Sequence, residues 1–175
     1  MLPDNGRLIP PTVPASSTAA ALLAAVNDAV PRLTSVGTMQ SAQPPAPGKW
    51  SPREIIGHLI DSAQNNHGRF VRAQLSPDLV FPGYAQDDWV RLQGYAERHW
   101  AELIALWAAY NRHLVHVIGR VSADAADRPR RVHNLDEIAS RSVRTDTPTT
   151  LAFFMADYVE HLEHHLQQVW DATGA

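Results

Sequence analysis

Three of the chain's nine histidines fall within Asp157-Tyr158-Val159-Glu160-His161-Leu162-Glu163-His164-His165-Leu166-Gln167-Gln168-Val169. His161 and His165 are four residues apart, so on a helix both imidazoles leave the same face about one turn apart and can converge on one ion. Leu151, Phe154, Tyr158, His161, His165 and Val169 recur at steps of three and four, which places the pair in the apolar line that faces a core. Inward histidines can be metal ligands, or they can simply be hydrogen-bonded core residues. A third ligand on another element decides between the two. His164 leaves the helix about 100° from His165 and is expected to line the rim or make a hydrogen bond. The chain has no cysteine, so any ion must be held by nitrogen and oxygen, and neither a disulfide nor a cysteine nucleophile is available.

Two histidines compete for the third place. His58 follows the best-marked helix start in the chain: Ser51 as N-cap, Pro52 at the first helical position, Glu54 completing a capping box, and Trp50 able to staple onto Ile55. This second helix is predicted to run to about Leu75, with Ile55, Ile56, Leu59, Ile60, Ala63, Phe70 and Val71 facing the core. His58 borders that stripe together with Ser62, Asn65 and Arg69. The polar file is either a solvated flank or one wall of a wet cavity inside a bundle. His99 is the rival, in the near-heptad row Leu92, Ala96, His99, Leu103, Leu106, Tyr110, Leu114, Val117 and Val121 of a third helix predicted over about 89–121. The row passes between His113 and His116, which read as surface residues.

The elements that must position these side chains are helices. Alanine and leucine dominate, strand-forming runs are nearly absent, and the clear apolar patterns have helical period, so one all-helical domain is expected. A first helix is predicted from Ser16 or Ser17 through Leu22, Leu23, Val26, Val30, Leu33 and Val36, stopped by Gly37, with Pro31 imposing a kink or an early end. Asp87-Asp88 cap the third helix after a loop over 76–88. A solvated polar crossover with mixed charges spans 122–146, with a helical turn near Leu135–Ala139. Thr147-Pro148 open the fourth helix, and Gly174 closes it. Four helices with long crossovers and inward histidines make a four-helix bundle with a site in its core. Ahead of them, Pro3, Pro10, Pro11 and Pro14 forbid a regular helix over about 1–15, and this arm is expected to lie on the bundle or on a partner subunit.

Composition excludes several functions. A net charge of −3 without a basic run leaves no footprint for nucleic acid. No apolar run approaches the ~18 residues of a membrane helix. Thr18 to Val26 reads as part of the first helix and not as a signal peptide, so a cytoplasmic protein is expected. Five tryptophans in a small domain, with Trp89 and Trp107 off the core row, join the proline-rich arm in suggesting a homodimer.

Taken together, Trp50-Ser51-Pro52-Arg53-Glu54 with His58-Leu59-Ile60-Asp61, Pro82-Gly83-Tyr84 with Asp87-Asp88-Trp89, and Asp157-Tyr158 with His161, His164-His165 and Gln168 resemble the DinB-like superfamily of metal-dependent enzymes. The resemblance spans about residues 18 to 170. It implies an up-down-down-up bundle, often dimeric, in which one histidine from the second helix and two from the fourth hold a divalent ion. Carried onto this chain, these are His58, His161 and His165. The ion implied is zinc or nickel, with manganese or iron as further options, and the relatives include enzymes that use a low-molecular-weight thiol. Three neutral imidazoles would leave a coordination position open for water or substrate, the pattern of a catalytic site. Such ligands pass their other N–H to a carboxylate or carbonyl, and Asp157, Glu54 and Asp61 are close enough in sequence to be the orienting or catalytic acids. The expected function is metal-dependent thiol transfer or hydrolysis on a small molecule. The alternative is a bundle that binds a metal or small ligand without turnover.

Overall fold

The computed structural model describes residues 14–175. These form α1 (Ala15–Ser35), a short α2 (Thr38–Ser41), α3 (Pro52–Ala73), α4 (Gln86–Gln93), a 3-10 turn (Tyr95–Glu97), α5 (Trp100–Gly119), the short α6 (Ala123–Asp127) and α7 (Leu135–Ile138), and α8 (Leu151–Thr173). Among the described residues β structure is limited to two isolated bridges, Leu79 with His133 and Arg130 with Thr149. Nor is any helix among them long and apolar enough to cross a membrane. The proline-rich arm lies, up to residue 13, outside the described residues.

The four long helices α1, α3, α5 and α8 form the expected bundle in up-down-down-up order, and contacts near their ends give the directions. At the start of α5, Trp100 Nε1 donates to the Leu33 carbonyl near the end of α1 at 2.9 Å, so these two run antiparallel. Arg53, at the start of α3, donates to the Ala96 carbonyl just ahead of α5, and further along His67 meets Tyr110, so α3 and α5 run parallel. Phe70 near the end of α3 packs edge-on to Phe154 near the start of α8, while His58 meets His161, so this pair is antiparallel. Leu22, Val26 and Leu33 of α1, Ile56, Leu59 and Phe70 of α3, Leu103, Trp107 and Leu114 of α5, and Leu162 and Val169 of α8 are sealed from solvent. At ~1.5–3 kcal/mol for each large apolar side chain removed from water, this core is what holds the histidine-bearing helices in register.

Several local expectations are corrected. The first helix begins at Ala15, where the Pro14 carbonyl accepts from Ser17 and Thr18, and not at a serine cap. It runs through Pro31 without stopping. One backbone bond is lost there, but buried Leu33, with its carbonyl held by Trp100, secures the last turn. The third helix is two helices. Gly94 takes the left-handed conformation (φ 62°) that ends α4, and a 3-10 turn intervenes before α5 starts at Trp100. The heptad row ignored this break, so its Leu92 is 71% exposed and its Ala96 and His99 also lie outside. Trp107 is fully buried, contrary to its placement off the core, whereas Leu106 and Val71 are exposed. α8 starts at Leu151, later than Thr147-Pro148, with the Thr150 hydroxyl accepting from the Phe153 N–H. The crossover is also anchored. Buried Arg130 donates to the carbonyls of Ala73 and Ala125, and Asp157 of α8 accepts from the backbone N–H groups of Ser140 and Arg141.

Candidate metal centre

α3 brings His58 to the site because its start is fixed at both ends of a capping box. Ser51 Oγ accepts from the Glu54 N–H, and Glu54 Oε2 accepts from the Ser51 N–H at 2.8 Å. His58 follows on the buried face, its ring 5.0 Å from that of Trp50. From the antiparallel α8, His161 and His165 arrive one turn apart, with ring centroids 5.2 and 4.6 Å from His58 and 4.5 Å from each other. Each of the three offers one nitrogen within 4.8 Å of the other two. His58 Nε2 and His161 Nε2 are 3.3 Å apart. Two nitrogens bound tetrahedrally to an ion at ~2.0–2.1 Å would be ~3.3–3.4 Å apart, so this spacing already fits a pair of zinc ligands. The same spacing also serves as an imidazole-to-imidazole hydrogen bond when no ion intervenes.

The electrostatics favour the neutral rings that metal binding requires. Burial, with His165 and His161 adding like charge, pushes His58 down to about 3. Burial followed by His165 and His164 pushes His161 down to about 3. His165 is also lowered, chiefly by burial, against the opposing hydrogen bond from Gln168. That bond, 2.9 Å between His165 Nδ1 and Gln168 Oε1, puts the proton on Nδ1 and leaves Nε2 as the donor lone pair for an ion.

The expected orienting acids are engaged elsewhere. Glu54 is spent on the capping box. Asp61 Oδ1 accepts from Gln93 Nε2 and the Tyr95 hydroxyl at 2.6 and 2.7 Å, and its Oδ2 is buried without a partner. Asp157 holds Ser140 and Arg141. None of the three makes a hydrogen bond to a histidine ring, and His58 Nδ1 is buried without a partner. An amide, Gln168, takes the part assigned to acids. Its spacing of three from His165 was the available signal. His164 is exposed, and its Nε2 accepts from Gln168 Nε2 at 3.1 Å. His99, the rival ligand, is the exposed N-cap residue of α5 and stands apart from the cluster.

Cavities border the triad. One of about 610 Å³ is lined by His165 and Gln168 together with Trp50, Ile55, Lys49 and Asp171. His161 instead borders two smaller ones, of about 40 and 150 Å³, that share Arg69, Tyr84, Gln86 and Ser140. Ser62 and Arg69 of the polar file are therefore cavity wall, joined by Asn66 where Asn65 was expected.

Comparison with known proteins accords with this architecture. A model of the DinB superfamily matches residues 17–169. The chain belongs to the DinB superfamily. Among solved structures it is similar to YfiT from Bacillus subtilis, described as a probable metal-dependent hydrolase with an unusual four-helix bundle topology. The two share 18% sequence identity at a TM-score of 0.73, over 99% of this chain and 92% of YfiT. No curated protein matches the chain.

Proposed function

We propose that this protein is a divalent-metal-dependent enzyme in which His58, His161 and His165 hold the ion and leave at least one position open. The observation that carries the reading is the convergence of three neutral imidazoles from two helices, with the His58 and His161 nitrogens 3.3 Å apart. The description of YfiT as a probable metal-dependent hydrolase supports it. Zinc or nickel suits the all-nitrogen set best, with manganese or iron as further options. Such an ion supplies Lewis acidity and lowers the pKa of a water or thiol that it binds. The chain's own residues do the rest. Gln168 fixes the His165 tautomer, Trp50 covers His58, and the 610 Å³ cavity beside His165 has room for a small molecule. The absence of cysteine favours a nucleophile from outside the chain, water or a low-molecular-weight thiol. The reaction is therefore hydrolysis or thiol-dependent transfer, in a cytoplasmic homodimer.

One observation favours a second reading, a metal-binding bundle without turnover: Glu54, Asp61 and Asp157 are each held by groups away from the triad and none hydrogen-bonds one of its rings, so none is placed there as a general base. The two are separated by loading the protein with zinc, nickel or manganese and assaying thiol transfer to electrophiles and ester or amide hydrolysis, in wild type and His165→Ala. Turnover that depends on the ion and is lost in His165→Ala supports the enzyme. Stoichiometric metal without turnover in any form supports the binding bundle, and turnover surviving both chelation and His165→Ala removes the metal from the reaction.

A further inference from the structure

Arg69 is the buried charge that neither the fold nor the triad accounts for. It lies on α3 three turns beyond His58, about 16 Å at 1.5 Å per residue, and therefore on nearly the same face. Side chains on a helix lean toward its N-terminus, so the guanidinium reaches back toward the histidines. It is 5% exposed, and among the described residues no carboxylate lies within ion-pair distance of it. Its protein acceptors are neutral: Nη2 donates to the Pro82 carbonyl at 2.8 Å, and Nη1 to Asn66 Oδ1 at a long 3.4 Å. A guanidinium has five N–H donors, so three are left without a protein acceptor. Burying a cation is costly unless it is paired.

Buried Arg130 shows what a structural arginine looks like in this fold. Its two terminal nitrogens donate to the carbonyls of Ala73, Ala125 and Arg128 while its Nε is buried without a partner, and it clamps helix ends away from the cavities at the triad. Arg69 instead lines both small cavities that border His161. Tyr84 and Gln86 line the same walls, and neither the Tyr84 hydroxyl nor the Gln86 amide has a hydrogen-bond partner among the described residues. Burial raises the Tyr84 hydroxyl above its ordinary range, so it stays a neutral donor. Two acids line these cavities, and a third, Asp61, acts on Tyr84 through its charge. Asp157 is already bound by Ser140 and Arg141, and Glu137 is exposed at the rim.

We infer that the cavity between His161 and Arg69 is an oxyanion subsite, in which Arg69, with Tyr84 and Gln86, binds a carboxylate or phosphate group of the substrate. The inference deepens the proposed function by making the substrate an anion whose charged end is held in the cavity that His161 borders, separate from the larger one beside His165. Its size, about 150 Å³, suits a single small group such as a carboxylate better than a nucleotide. The guanidinium itself is a planar fork made for carboxylate or phosphate.

The test follows the Arg69 Nε–Hε signal by NMR in the metal-free full-length protein, assigned from its loss in Arg69→Lys, during titration with acetate and separately with inorganic phosphate. Chloride at matched ionic strength is the control. The expected result is a saturable shift of Arg69 and not of Arg130, with a dissociation constant raised at least about tenfold in Arg69→Gln when read by thermal shift, as expected for one charge-assisted hydrogen-bond partner. The tighter of the two anions identifies the group. No saturable shift, or one reproduced by chloride, overturns the inference and leaves Arg69 a packing residue. The wild-type titration decides even if Arg69→Gln does not fold. Repeating it in His165→Ala separates the two readings: a site that binds acetate there stands whether or not the triad holds metal, while stoichiometric metal without anion binding removes this inference alone.

Discussion

Gln168 acts on two histidines at once, accepting from His165 Nδ1 and contacting His164 Nε2, while it is itself exposed. Its loss should therefore disturb the site and not the fold. Gln168→Leu is expected to lower zinc affinity about 10- to 100-fold, measured by chelator competition, with unchanged helicity and melting. Equal affinity in the two proteins would show that the bond does not orient the ligand. Asp61 makes a different residue-scale prediction. Burial raises its pKa from 3.8 against the opposing hydrogen bonds of Tyr95 and Gln93. Because the folded pKa lies above the unfolded one, the group favours folding most below about pH 3.8, and that contribution is lost as pH rises through the folded pKa. Asp61→Asn keeps an acceptor for Tyr95 and carries no charge. It should flatten the pH dependence of stability above pH 3.8 and be at least as stable as wild type near pH 7, read from urea unfolding across pH. A variant with the wild-type slope would contradict this.

On α3, two glycines should respond in opposite directions to the same substitution. A Cβ on Gly57 would land on the Tyr95 ring, the residue that also donates to Asp61 one turn further along the helix. Gly57→Ala should cost about 1–3 kcal/mol as overpacking in a tight core. Gly68 has nothing within 4 Å of that position, and Gly68→Ala should gain about 0.5–1 kcal/mol from reduced backbone entropy in the unfolded chain. Urea melts of the two variants check the pair, and a stable Gly57→Ala would mean that Tyr95 moves without penalty. At the start of the same helix, Ser51→Ala removes the acceptor for the Glu54 N–H and should cost about 1 kcal/mol.

At the scale of the whole molecule, Asp157 ties the crossover to α8 through Ser140, Arg141 and an ion pair with the Arg141 guanidinium. Asp157→Ala should leave the bundle helical while the backbone amides of Ser140 and Arg141 exchange with solvent much faster, seen by hydrogen exchange. Unchanged protection would show that the bridge from Arg130 to Thr149 is sufficient by itself. Assembly as a homodimer is kept as a proposal on altered grounds. Buried Trp107 no longer speaks for it, but Leu75, Val80 and Val132 stand exposed beside the end of α3, at 87%, 55% and 56%. A monomer by light scattering at micromolar concentration would sink it.

The amino-acid sequence by itself determined the helical class, the capped start of α3, and the pairing of His161 with His165. Each rests on interactions within one or two turns, which residue type and spacing encode directly. It also left His58 and His99 as rivals for the third place. The family resemblance favoured His58, and the tertiary structure gives the physical reason: Gly94 breaks the helix that carried His99, while antiparallel packing of α3 on α8 brings His58 to 3.3 Å from His161. The partners of the acids were likewise beyond reach from local spacing. Glu54 was legible as a cap, but Asp61 meets Tyr95 across 34 residues and Asp157 meets Ser140 across 17. Arg69 was visible as a polar residue on the border of the α3 stripe. That it is buried without an acid depends on the loop at Pro82 and the crossover at Ser140 closing over it, and such enclosure is a property of packing, which no single helix carries in its own pattern.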